Sequence, residues 1–120
     1  MNQKVTAKDK SFGLPKKTIQ QIRDLFAKYP EIRLVKIYGS RSTGNYKAGS
    51  DIDLVFYSES DKDLSARLSW ELDELPTPYL FDIFNYNNLE PASQKEIDKY
   101  AKSFINYKYF YFKIGDVIWN

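Results

Sequence analysis

Two short apolar runs bracket a stretch with almost nothing to bury, and that arrangement limits the possible folds more than any other part of the chain. The first run, residues 32–38 (IRLVKIY), is β-branched and aromatic over strand length. The second, residues 51–57 (DIDLVFY), alternates acid and apolar before turning fully apolar, the pattern of a strand with one wet end. Residues 39–50 between them (GSRSTGNYKAGS) hold three of the five glycines and read as a loop with room for one helical turn. Two such strands need helices to cover them. Pro15 suits the first turn of a helix in which Ile19, Ile22, Phe26 and Tyr29 recur at spacings of three and four, with Pro30 as its stop. Ser60 or Asp61 caps a second helix along Leu64, Leu68, Leu72 and Leu75, which Pro76 ends. Residues 79–86 (YLFDIFNY) form a third strand with one carboxylate, Asp82, among large apolar neighbours. Pro91 opens a last helix to about Phe104, with Ile97, Tyr100, Ala101 and Phe104 at helical spacing. Residues 107–114 (YKYFYFKI) fit either one more strand or a continuation of that helix. The expected class is α/β (α+β), a small mixed β-sheet flanked by helices.

At 120 residues the chain closes one core, so a single domain over 1–120 is expected, with 1–13 as a flexible lead-in and 106–120 as an aromatic tail. A hydrophobic fraction of 42% supplies the burial that such a core needs, which argues against wholesale disorder. The absence of cysteine and histidine removes disulfides, thiol nucleophiles, imidazole bases and the usual zinc ligands. Chemistry must then run on oxygen, amine or guanidinium groups. No apolar run approaches the roughly 18 residues of a membrane span, and the opening MNQKVTAKDK is polar, so a cytoplasmic protein without a membrane partner is expected. Charge is uneven: residues 1–50 hold 11 basic against 3 acidic side chains (+8), and residues 51–120 hold 7 against 13 (−6). Halves of a sequence are not halves of a surface, and solvated lysines account for the excess without a polyanionic partner.

The acids carry the chemical signal. Side chains two apart on a strand share a face, with α-carbons roughly 6.6 Å apart, so Asp51 and Asp53 point together while Ile52 and Leu54 point away. Two carboxylates about 6 Å apart at an effective dielectric near 20 repel by roughly 3 kcal/mol. A hard divalent cation compensates, since Mg²⁺ commonly combines one or two carboxylates with nucleotide phosphate oxygens. Asp82 would complete an acidic triplet if its strand lies beside the second, and such a triplet suits two metals and an in-line phosphoryl displacement. At the end of the first strand, Gly39 lets backbone approach a phosphate without a Cβ, and the Ser40 hydroxyl can donate to it. Each piece is common alone; their order along the chain is more specific. The competing reading of Asp51 and Asp53 is a solvated pair at a strand end, that of Asp82 a turn cap or ion pair, and that of Arg41 a structural partner for one of the acids.

With GSRSTGNYKAGSDIDL at 39–54 and FDIF at 81–84, the sequence resembles the minimal nucleotidyltransferases of the DNA polymerase beta superfamily, which carry a Gly-Ser, ten residues, Asp-x-Asp signature followed by a later carboxylate strand. The resemblance spans roughly residues 14–105. It implies the nucleotidyltransferase fold, ATP as donor with Mg²⁺, two ions in number, and Asp51 and Asp53 as metal ligands. Asp82 is then a third ligand or the base for the incoming hydroxyl, and Gly39, Ser40 and Arg41 attend the nucleotide. It further implies pairing with a helical HEPN protein in a hetero-oligomer, as in HEPN/MNT toxin–antitoxin pairs, where the enzyme silences a ribonuclease by transferring AMP to its tyrosine. Nucleic acid is not expected as a direct substrate. The chain departs from the family in having Ser42 and Thr43 where a second basic residue often follows the first, and in its aromatic tail. Two alternatives stand beside this reading: transfer to a small molecule such as an aminoglycoside with a separate substrate-binding subunit, and a non-catalytic module that occludes a toxin. The tail, with tyrosines and phenylalanines interleaved with lysines, is read as a protein interface.

Overall fold

The computed structural model describes residues 11–106, and within them the helices and strands follow in the order α1 (Lys16–Phe26), β1 (Ile32–Tyr38), α2 (Ser40–Thr43), β2 (Ile52–Ser58), α3 (Ser65–Asp73), β3 (Phe81–Asn85), α4 (Pro91–Tyr100) and β4 (Lys102–Asn106). Four strands form one mixed sheet in the order β3-β2-β1-β4. β1 pairs antiparallel with both β2 and β4, and β2 pairs parallel with β3. The α/β class and the helix-flanked mixed sheet expected from the sequence are the observed ones.

One face of the sheet holds the main core. Ile22, Leu25 and Phe26 of α1 and Leu68 and Leu72 of α3 pack with Val35 and Ile37 of β1 and Ile52, Leu54 and Phe56 of β2, all buried. The leucine stripe of α3 extends at both ends through Leu64 and Leu75, which lie partly buried against that core. Side-chain alternation then fixes what the other face carries: Tyr38 from β1, Asp53, Val55 and Tyr57 from β2, and Asp82 and Phe84 from β3.

Four local expectations are corrected. The N-cap position of α3 is Leu64 rather than Ser60 or Asp61, and the Asp63 carboxylate just before it accepts from the Ser65 backbone N–H at 3.0 Å and hydroxyl at 2.6 Å. The last helix ends at Tyr100, and Phe104 belongs to β4. There a bulge opposite Val35 and Lys36 buries the consecutive Phe104 and Ile105 together, which strict alternation would separate. Residues 11–13 are not a loose lead-in: they form a 3₁₀ turn whose Phe12 ring meets Phe104 at 5.9 Å between centroids. Finally, β2 begins at Ile52, so Asp51 lies just before the strand. The alternatives drawn for residues 107–114 lie outside the described residues.

Candidate active site

The parallel register of β2 and β3 sets Asp53 directly opposite Asp82. Both strands also carry the alternation that keeps Ile52 and Leu54 in the core, so the two acids share the outward face, with Asp82 exposed and Asp53 half-buried. With Asp82 facing it across the paired strands, the Asp53 carboxyl is pushed up to about 6. Burial is the first cause, followed by Asp82, with the charge of Asp51 adding to it and that of Arg41 opposing it. Asp53 is a carboxylate short of a counter-charge.

β1 closes the site from the other side. Tyr38 pairs with Asp53 across the antiparallel ladder, and its phenol is held far above the usual tyrosine value by burial and then by the charges of Asp53 and Asp82. Its ring also meets Phe84 at 6.2 Å. Sequence reasoning passed over Tyr38 as one more aromatic strand residue; its place directly before the Gly-Ser turn is the signal that could have marked it.

Gly39 has φ +73° and ψ −151°, a conformation open to glycine and strained for other residues. A Cβ there would stand 2.5 Å from Asp53 Oδ2. The glycine therefore admits the Asp53 carboxylate as well as any phosphate. After it the chain makes the single turn of α2, closed by Gly44 at φ +90°. Ser40 opens that turn and is partly exposed. Ser42 and Thr43 both turn inward on the Gly39 carbonyl, at 3.0 and 3.4 Å.

Arg41 is held by backbone: its side chain is 2% exposed and donates to three carbonyls, from Nε to Ser50 and Asp51 at 3.2 and 3.3 Å, from Nη2 to Ser50 at 2.7 Å, and from Nη1 to Phe12 at 2.9 Å. The guanidinium also faces the rings of Tyr46 and Tyr79, at 5.3 and 5.2 Å from their centroids. A planar, always-charged fork answers several carbonyls at once, which a loop so poor in apolar side chains needs. Arg41 thus pins both ends of that loop and fixes the Asp51 backbone. Tyr46, Tyr79 and Phe12 are its setting, and no spacing in the sequence announced them.

Of the residues singled out in the sequence, Asp53, Asp82 and Gly39 meet at one point, with Asp51 close enough for its charge to be felt. Among the described residues no group of three acids is drawn together into a ready metal site. Asp53 and Asp82 face one another across the paired strands, and Asp51, exposed just before β2, adds its charge from nearby. Unmet negative charge on oxygen donors nevertheless fits a hard cation whose remaining ligands come from phosphate. A shallow groove of about 610 Å³ between α1 and α3, beside Trp70 and Lys28, lies across the sheet from the acids and is no part of this site.

The pattern of the family described as "Polymerase beta, Nucleotidyltransferase" matches residues 20–109. Among solved structures, the chain is similar to one in the complex of a tri-AMPylated Shewanella oneidensis HEPN toxin with its MNT antitoxin, at 16% identity and a TM-score of 0.60, covering 76% of this chain and 71% of that one. It is similar to a chain of a toxin–antitoxin complex with AMP-PNP at 20% identity and a TM-score of 0.57, covering 73% of each. A third structure, described as a minimal nucleotidyltransferase, is 25% identical with a TM-score of 0.57, covering 72% of this chain and 89% of that one. No curated protein matches the chain. Among the described residues no helix is long and apolar enough to cross a membrane.

Proposed function

The chain belongs to the polymerase beta nucleotidyltransferase family, and from that premise we propose that it transfers AMP from ATP to a tyrosine hydroxyl of a HEPN-type protein, silencing it as an antitoxin does. The observation that carries this reading is the in-register pair Asp53 and Asp82, one half-buried and short of counter-charge, the other exposed to an incoming group. Likeness to complexes containing an AMPylated HEPN toxin and AMP-PNP supports the acceptor and the donor.

In this reading Asp51 and Asp53 hold Mg²⁺, with Asp82 beside them. The metal, when bound, would neutralise charge on the triphosphate and on the departing pyrophosphate. The turn at Gly39 and Ser40 receives triphosphate oxygens through backbone N–H and hydroxyl donors. Arg41 acts at one remove by fixing the Ser50 and Asp51 backbone, so that the first acid stays in place as the nucleotide enters. Asp82, exposed on the edge strand, takes the proton of the acceptor hydroxyl. The hydroxyl oxygen bonds to the α-phosphorus, the bond from that phosphorus to the bridging oxygen breaks, and pyrophosphate leaves.

The test is transfer of label from ATP carrying it on the α-phosphate, with Mg²⁺ and a HEPN-type protein as acceptor. Label should appear on the protein, and Asp53→Asn should reduce it by at least about 10²- to 10³-fold, the scale of losing a group that stabilises transition-state charge. Label on added aminoglycosides with none on protein would overturn the proposal. So would full neutralisation of the toxin by the Asp53→Asn variant, which would leave occlusion as the mode of action.

A further inference from the structure

Along β3 and the residue before it, exposure alternates without a break: Leu80, Asp82 and Phe84 face out, while Phe81, Ile83 and Asn85 are buried. The Ile52 N–H donates to the Leu80 carbonyl at 2.9 Å, so Leu80 continues the ladder and shares the face of Asp82. Leu80 is 69% and Phe84 44% exposed, on a strand at the edge of the sheet. Large apolar side chains on an open edge strand invite association, and proteins commonly blunt such edges with charge or cover them. The one charge here is Asp82, which stands between the two, about 6.6 Å from each along the strand.

That placement has a chemical reading. A hydroxyl that gives its proton to Asp82 must approach within about 3 Å of its carboxylate. Leu80 and Phe84 flank that approach on the same face, and Phe84 is backed by the Tyr38 ring. We propose that Leu80 and Phe84, supported by Tyr38, form the docking platform for the acceptor, and that they select a protein segment whose hydroxyl residue has apolar side chains about 6–7 Å to either side. In an extended segment these are its second neighbours. The inference rests on the acceptor being a protein and adds what the segment must look like. A bare hydroxylated sugar or amine would leave both apolar side chains in water.

The test uses the full chain, Mg²⁺, ATP labelled on the α-phosphate, and two synthetic peptides with a single tyrosine. One has leucine two positions before and after the tyrosine; the other has serine there. Wild type should label the leucine peptide with a kcat/KM on the order of tenfold higher, the scale of one or two well-placed apolar contacts. The double variant Leu80→Ser, Phe84→Ser should bring the ratio near one while its ATP affinity, measured by calorimetry, is unchanged. Both side chains are well exposed, and a melting curve confirms that the variant is folded. Equal labelling by wild type, labelling of neither peptide, or a preference that survives the double variant overturns the inference. Conversion of a wild-type dimer to a monomer by the same variant, with labelling unaltered, also overturns it and assigns the face to a second copy of the chain. A HEPN-type protein labelled independently of Leu80 and Phe84 sinks this inference alone, whereas no labelling of any protein sinks the reading it rests on.

Discussion

The outward face of β2 has two ends that follow the same alternation and meet opposite fates. At its start, Asp53 faces Asp82 and Tyr38; burial, Asp82 and Asp51 make its charge harder to bear, and Arg41 opposes them. At its far end Tyr57 stacks on Tyr86 with centroids 4.4 Å apart, Lys36 sits over the Tyr57 ring at 5.5 Å, and the Tyr86 hydroxyl donates to both Asp98 oxygens at 2.8 and 3.1 Å. An acid is present at each end. One is met by a hydroxyl donor; the other is half-buried against more acid. Burial together with the nearby Tyr86 and Asp98 pushes the Tyr57 phenol up to about 12, so it stays neutral across the working range. The Asp53 carboxyl, at about 6, titrates close to neutrality. The difference separates a polar cluster that seals a fold from one that waits for a ligand.

The largest effect that would break this contrast lies at Gly39. Gly39→Ala puts a Cβ against the Asp53 carboxylate in a backbone conformation that L-residues avoid. We expect a loss of about 1–3 kcal/mol of stability, the cost of one such strained residue. Nucleotidyl transfer should fall further than unfolding explains, because Asp53 must move aside. The checks are a urea titration and single-turnover transfer at a temperature where the variant is fully folded. A variant of wild-type stability and rate would mean that the glycine is an ordinary turn residue and the open end is no tighter than the closed one.

A smaller effect sharpens the contrast through pH. The Asp53 pKa is raised from 3.8 unfolded to about 6 folded, so the native state favours its protonated form. Its contribution to stability is fully present below about pH 4 and is lost as the pH rises through about 6. Melting temperatures of the metal-free protein should therefore carry a decline over that window, which Asp53→Asn removes and millimolar Mg²⁺ offsets at the upper end. A decline of the same size in Asp53→Asn would assign it to other carboxylates and leave Asp53 without its unmet charge.

How much of this was legible before the structure follows the same division. The strand pair, the α1 and α3 stripes and the facing acids at 53 and 82 could be read because each rests on local period and residue type. What could not be read depends on which distant groups meet. Nothing local says that Arg41 turns inward to carbonyls nine, ten and 29 residues away. The end of the last helix was missed because Ile97, Tyr100, Ala101 and Phe104 fit a helical stripe, while the competing pull on Phe104 is a bulged pairing with β1 that helical spacing does not reveal. Asp51 and Asp53 were expected as equals; the strand starts between them, and only one is held half-buried against a neighbouring strand.

The smallest effect belongs to the closed end. Tyr86→Phe removes the hydroxyl that answers Asp98 and keeps the ring that stacks on Tyr57. The bond to Asp98 is exposed, so water takes the place of the lost donor and the melting temperature should change only marginally. Transfer should stay at the wild-type rate, because Tyr57 stands four residues along β2 from Asp53, roughly 13 Å at strand rise. Thermal melting and steady-state transfer measure the two separately. If transfer fell while the melt held, the polar cluster at the far end would be tuning the acids rather than sealing the sheet, and the two ends of β2 would have to be treated as one electrostatic unit.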